Sequence, residues 1–149
     1  MTDVAFHTGI LDPVEYGCRL LRKAVRSGAR VAVYGPPAVL ERLDRQLWTF
    51  EPLEFIPHVL LPRDAAGGAD AGQLARTPVL LCADGRVPEG CGIAVVVDGD
   101  RPLDAARFDR VIEIVGDSAE TKATGRQRWR DYERAGLAPQ HVNAAASRG

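Results

Sequence analysis

The sequence predicts a single α/β domain with a mainly parallel sheet and helices on both faces. Two observations carry this. Four short apolar, β-branched runs (residues 30–34, 78–83, 92–97 and 110–115) read as strands covered on both sides. Segments with helical periodicity alternate with strands along the chain, as βαβ units require. A length of 149 residues fits one core of the commonest domain size.

The elements follow in order. Residues 3–8 (DVAFHT) alternate weakly and open the sheet. Asp12 is a good N-cap, Pro13 suits the first helical position, and Glu15 stands where a capping-box acid belongs. Val14, Cys18, Leu21 and Val25 give this first helix its buried stripe, and Gly28 ends it. After the strand at 30–34, Gly35-Pro36-Pro37 leads into a second helix reaching about Trp48, with Leu40, Leu43 and Leu47 on its inner side. Pro52, Phe55, Ile56 and Pro57 hold the chain extended into a short strand, His58–Leu61. Residues 62–76 are small, polar and Gly-rich, which predicts a flexible surface loop. Strands at 78–83 and 92–97, a short helical turn at 104–108, a strand at 110–115 and a final helix over 118–135 complete the pattern. Residues 1–136 are thus expected to form the domain. Residues 137–149 have no pattern and are expected to be a mobile tail.

Composition limits function. Apolar residues are 46% and charged residues 26%, and the formal net charge is -1. A protein that grips DNA or RNA over a wide face is usually strongly basic, so direct nucleic-acid binding is disfavoured. No apolar run approaches the roughly 20 residues of a membrane span. The N-terminal MTDVAFHTG lacks a basic start and an apolar stretch, so no secretion signal is expected. Cys18, Cys82 and Cys91 form no C-x-x-C pair, which suits reduced thiols in a cytoplasm. The scattered Cys and His residues predict no metal site, and no cofactor is expected.

Catalytic signals are weak. Gly35-Pro36-Pro37 occupies the turn where a dinucleotide fold carries G-x-G-x-x-G, but it has one glycine, and its prolines offer no N–H to a phosphate. No nucleophile elbow is present. Cys18 and Cys82 read as small core residues, and Cys91, between two glycines, as the most exposed thiol. The alternative to a binding protein is a small enzyme acting on a nucleotide or phosphorylated substrate.

Two constellations read as surfaces. Trp48, Phe50 and Phe55 crowd an irregular Pro-rich stretch in a chain only 6% aromatic, followed by Ile56, Pro57 and His58. Either they plug the sheet edge or they form an exposed patch for a partner. On the final helix Lys122, Arg126, Arg130 and Glu133 share a stripe, with Trp129 beside Arg126 and Arg130, and Arg128 and Arg134 add charge elsewhere. This is either a solvated face or a cationic groove with an apolar hole, suited to an acidic peptide that ends in a hydrophobic side chain.

Taken together, these residues resemble the chi subunit family of bacterial DNA polymerase III holoenzyme. The resemblance rests on Phe6 in the first strand and on Arg26-Ser27-Gly28-Ala29-Arg30-Val31. It continues through Arg42-Leu43-Asp44-x-x-Leu47-Trp48, Phe55-Ile56-Pro57-His58 and Arg126-x-Arg128-Trp129-x-x-Tyr132-x-x-Ala135-Gly136. It implies a Rossmann-like three-layer sandwich without catalytic activity. It implies a clamp-loader-associated adaptor that binds the acidic, Phe-terminated tail of single-stranded-DNA-binding protein, and a psi subunit or a repair helicase. By motif, Val115, Lys122, Arg126, Trp129 and Arg130 would bind the tail. Trp48, Phe55, Ile56, Pro57 and His58 would face psi or the helicase, and DNA would be met only indirectly. The chain departs from the pattern in carrying Trp129 for a tyrosine and Arg130 for a lysine, and in being two residues shorter after Val115.

Overall fold

The computed structural model describes residues 2–49, 55–62 and 71–143. Seven strands, β1 (Asp3–Ile10), β2 (Val31–Tyr34), β3 (His58–Leu61), β4 (Val79–Cys82), β5 (Ile93–Val97), β6 (Arg110–Gly116) and β7 (Gln140–Asn143), join in one sheet of order β3-β4-β2-β5-β6-β1-β7. Every pairing is parallel. The predicted three-layer α/β architecture is therefore present, and its sheet is wholly parallel. The α-helices among the described residues are α1 (Pro13–Arg26), α2 (Pro37–Thr49), α3 (Ala71–Arg76) and α4 (Ala119–Arg134).

Local chemistry sets the helix ends. The Asp12 carboxylate accepts the Glu15 N–H at 3.1 Å, and Pro13 occupies the first turn, where its missing donor costs nothing. Ser118 caps α4 by accepting the Thr121 N–H at 3.1 Å. Gly136, at φ +86°, closes α4 in the left-handed region that favours glycine.

One face of the sheet is covered by α1 and α2. Val14, Cys18, Leu21, Leu40, Leu43 and Leu47 meet Val31, Val33, Val95 and Ile114 in a buried core. The opposite face carries α4, the 3-10 turn Ala105–Arg107 and Leu74 of α3. Its core is aromatic as well as aliphatic: Phe6, Tyr34, Phe108 and Tyr132 pack with Val96, Val111 and Val115. Val25, read as part of the α1 stripe, is only partly buried, whereas Gly17 is buried.

Two sequence expectations change. Within the stretch read as a Gly-rich loop, Ala71–Arg76 forms α3, while residues 63–70 lie outside the described residues. Gln140–Asn143, within the segment read as patternless, forms β7 parallel to β1. Cys91, read as the most exposed thiol, is the most exposed of the three, yet at 6% it belongs to the α4-side core. The glycines beside it leave backbone exposed while its own side chain turns inward.

Candidate functional site

The α4 face is built from β6 and β1. Odd-numbered β6 residues (Val111, Glu113, Val115) and even-numbered β1 residues (Val4, Phe6) point towards α4, as the two-residue period of a strand requires. Gly125 lets α4 lie close. A Cβ there would stand 3.2 Å from both Val115 methyl groups, so a larger residue would push helix and sheet apart. Val115 is accordingly buried beneath the helix at 6% exposure. One turn further on, Trp129 is half-buried, its ring 5.1 Å from that of Phe6.

The charged residues of α4 divide into two sets. Lys122, Arg126 and Arg130 are exposed. Lys122 pairs with Asp117 at 3.2 Å, with both side chains about half exposed, so solvent screens the pair heavily. Arg130 donates to the Gln127 side-chain oxygen at 3.0 Å, and Arg126 has no acidic partner among the described residues.

Arg128 has a different role from the charge the sequence placed elsewhere on the helix. It is buried and clamps Glu113 of β6, donating from Nε at 2.9 Å and from Nη2 at 2.5 Å. It also donates to the Arg101 carbonyl, and Tyr132 donates its O–H to the same Glu113 carboxylate. Burial opposes the Arg128 charge. The Glu113 carboxylate overrides that penalty and raises the guanidinium pKa. Burial, then Glu113, raises the Tyr132 phenol well above its usual value. The signal in sequence was an acid inside the apolar strand RVIEIV, which demands a buried cation. The i, i+4 pair Arg128 and Tyr132 supplies the cation and a further donor.

Two concavities flank Arg128. One, of about 260 Å³, lies at the carboxyl ends of β2, β4 and β5, between Tyr34, Gly35, Cys82, Gly99, Arg101 and Arg128. The other, of about 590 Å³, runs between the C-terminal half of α4 and residues 102–106, with Leu103, Tyr132, Ala135 and Leu137 in its walls. Both are on the Arg128 side of the helix, away from Trp129. The first occupies the place where open α/β sheets often bind ligands. The adjoining α2 N-terminus is poorly equipped for a phosphate, however. Pro36 and Pro37 lack N–H groups, and the Val39 and Leu40 amides already donate to the Pro36 carbonyl. Burial pushes the Cys18 and Cys82 thiols up to about 12, so both stay protonated at neutral pH.

The second constellation straddles α2 and β3. Trp48 and Phe55 are 58% and 65% exposed and stack on each other with ring centroids 5.4 Å apart. Ile56 and His58 turn inward, and Pro57 is half-buried. The His58 ring lies 4.8 Å from that of Trp48, its Nδ1 2.8 Å from the Ile56 carbonyl oxygen and its Nε2 3.1 Å from the Asp44 carboxylate. Asp44 and His58 thus hold up the exposed aromatic pair. Phe50 and Pro52 lie outside the described residues.

No helix among the described residues is long and apolar enough to cross a membrane, and no cluster of His, Cys, Asp and Glu among them could hold a metal ion. Over 124 residues, 83% of this chain and 80% of the relative, the sequence is 27% identical to DNA polymerase III subunit chi of Pseudomonas aeruginosa. The model of the family described as DNA polymerase III chi subunit, HolC, matches residues 1–140, and the chain belongs to that family.

Proposed function

We propose that the protein is a non-catalytic accessory subunit of the DNA polymerase III holoenzyme, acting as an adaptor in the cytoplasm. Lys122, Arg126 and Arg130 capture the acidic C-terminal tail of single-stranded-DNA-binding protein, and its terminal phenylalanine packs beside Trp129, above the buried Val115. The exposed Trp48–Phe55 pair, supported by Ile56, Pro57 and His58, receives a psi subunit or a repair helicase. Contact with DNA is indirect. The observation that carries this reading is the division of charge on α4. Arg128 is neutralised in the core, whereas Arg126 and Arg130 stand in solvent without acidic partners among the described residues, beside a half-buried indole.

Affinity for the tail is modest on this mechanism. Each exposed charge pair contributes about 0–1 kcal/mol, and screening over a Debye length of about 8 Å weakens it at physiological salt. Calorimetric titration with an acidic peptide ending in phenylalanine tests the assignment. Arg126→Ala, by removing pairs to more than one tail carboxylate, weakens binding about tenfold, a loss of about 1.4 kcal/mol, and leaves thermal unfolding unchanged. Trp48→Ala leaves peptide binding intact and abolishes capture of a psi-like partner. Equal affinities for wild type and Arg126→Ala would remove the tail site. Loss of both activities in Trp48→Ala would make Trp48 a structural residue.

A further inference from the structure

The strand that follows α4 returns beside the proposed tail site and brings a histidine with it. β7 pairs parallel with β1, and His141 is the partner of Phe6. Partnered residues of adjacent parallel strands project to the same face, so His141 stands on the α4 side of the sheet. Its Nε2 lies 2.5 Å from Thr8 Oγ1, which fixes the ring over β1. Phe6 is also the residue on which Trp129 packs, so the indole and the imidazole adjoin one aromatic ring.

The helix geometry points the cations the same way. Arg128 marks the β6 side of α4, through Glu113, and Trp129 marks the β1 side, through Phe6. Lys122 and Arg126 fall about 20° and about 60° beyond Trp129 round the helix, away from Arg128 and so towards β7. Glu133 falls about 40° beyond Trp129 on the same border, and Arg130 about 100° beyond it, towards solvent. β7 is the last strand of the sheet, and His141 on it is exposed. The α4 cations and His141 thus stand on the same side of Trp129, with Thr8 of β1 bonded to the imidazole between them. By helical position the charged α4 residues on the β7 side are Lys122, Arg126 and Glu133. The other β7 side chains, Gln140, Val142 and Asn143, carry no charge.

Resting on the tail-binding reading above, we infer that His141, oriented by Thr8, is a further peptide-binding residue. It contacts the carboxylates of the acidic tail from the β7 side, opposite Arg126. A hydrogen-bond donor from β7 as well as from α4 holds the tail from two sides, where α4 alone would hold it from one.

Titration with the same Phe-terminated acidic peptide tests this on the full chain. His141→Glu weakens binding about fivefold and His141→Lys holds or strengthens it. Arg19→Ala on α1, on the opposite face, removes one positive charge and leaves affinity unchanged. If Arg126→Ala weakens binding while neither His141 variant changes it, the His141 inference is overturned and the tail site stands. If Arg126→Ala has no effect either, the tail reading itself fails. An equal loss in His141→Glu and Arg19→Ala would reduce the effect to net charge and also overturn the inference. Should His141→Glu fold poorly, unchanged binding by His141→Lys together with unchanged binding by His141→Ala decides against it.

Discussion

On the α1/α2 side of the sheet the core is aliphatic apart from Cys18, with His58 at its margin; on the α4 side it holds four aromatic rings and a buried Arg–Glu–Tyr network. The first side gains its stability from close packing of Leu, Ile and Val, which is non-directional and tolerates repacking. The second depends on groups that must find each other at fixed distances. A salt bridge with hydrogen-bonded partners locks α4 at one rotation. That rotation decides which α4 side chains reach solvent, so the exposure of Arg126 follows from the burial of Arg128.

The largest test of this contrast is removal of Glu113. Glu113→Ala leaves Arg128 buried without its counter-charge, and stability falls by about 3–5 kcal/mol. That is a large share of the roughly 5–15 kcal/mol typical of a domain. Urea denaturation measures it. Replacing both partners, as Glu113→Leu with Arg128→Met, recovers most of the loss, because packed apolar groups need no partner. The double variant keeps its fold but no longer fixes α4 through hydrogen bonds. A single variant as stable as wild type would mean that Arg128 escapes to solvent, and that the rotation of α4 is set by packing alone.

Next in size is Gly99→Ala. A Cβ at Gly99 would collide with a Val96 methyl and stand 2.9 Å from the Arg128 Cζ. Overpacking here costs about 1–3 kcal/mol, because neither the strand nor the clamped guanidinium can give way freely. The comparable α1 position differs. At Gly17 a Cβ would meet Leu43, Val97 and Ile114 at 3.6–3.9 Å, which is ordinary contact. Unchanged thermal unfolding of Gly99→Ala would show Arg128 to be mobile.

What could be read from sequence follows the same division. Strands buried on both faces declare themselves as apolar runs, so β2, β4, β5 and β6 were legible, as were the stripes of α1 and α2. β7 was not. An edge strand reading Gln-His-Val-Asn, mostly exposed, needs no apolar run, and only its pairing with β1 defines it. α3 was hidden because its six residues, with one large apolar side chain, are too few to show a helical period. The stripe Lys122, Arg126, Arg130 was visible from spacing. Spacing alone could not tell that Arg128 faces inward, because the reason lies fifteen residues earlier, in Glu113 on a strand. The outward turn of Trp48 and Phe55 was left open by pattern, since an aromatic run fits an edge plug as well as a patch.

The smallest expected effect tests the aliphatic side, where a histidine intrudes from β1. His7 of β1 points to the α1 face and shares a hydrogen bond with the Tyr16 hydroxyl, their rings 5.7 Å apart. Burial, and then the positive charge of Arg110, hold its pKa below the ordinary 6.5. Tyr16 of α1 shares its hydrogen bond, Arg110 of β6 acts on it through charge, and its strand partners Ile114 of β6 and Val142 of β7 are uncharged. The folded state therefore binds this proton less readily than the unfolded chain does. Its contribution to stability is complete above pH 6.5 and is lost progressively as pH falls below that value. His7→Gln, which keeps a hydrogen-bonding group near Tyr16 but cannot take up the proton, flattens the decline in Tm on acidification from pH 6.5. If wild type and His7→Gln lose Tm in parallel over that range, the imidazole is already charged in the folded protein. The α1 face would then accommodate a cation beside Arg110, and the contrast between the two faces would be smaller than their side chains suggest.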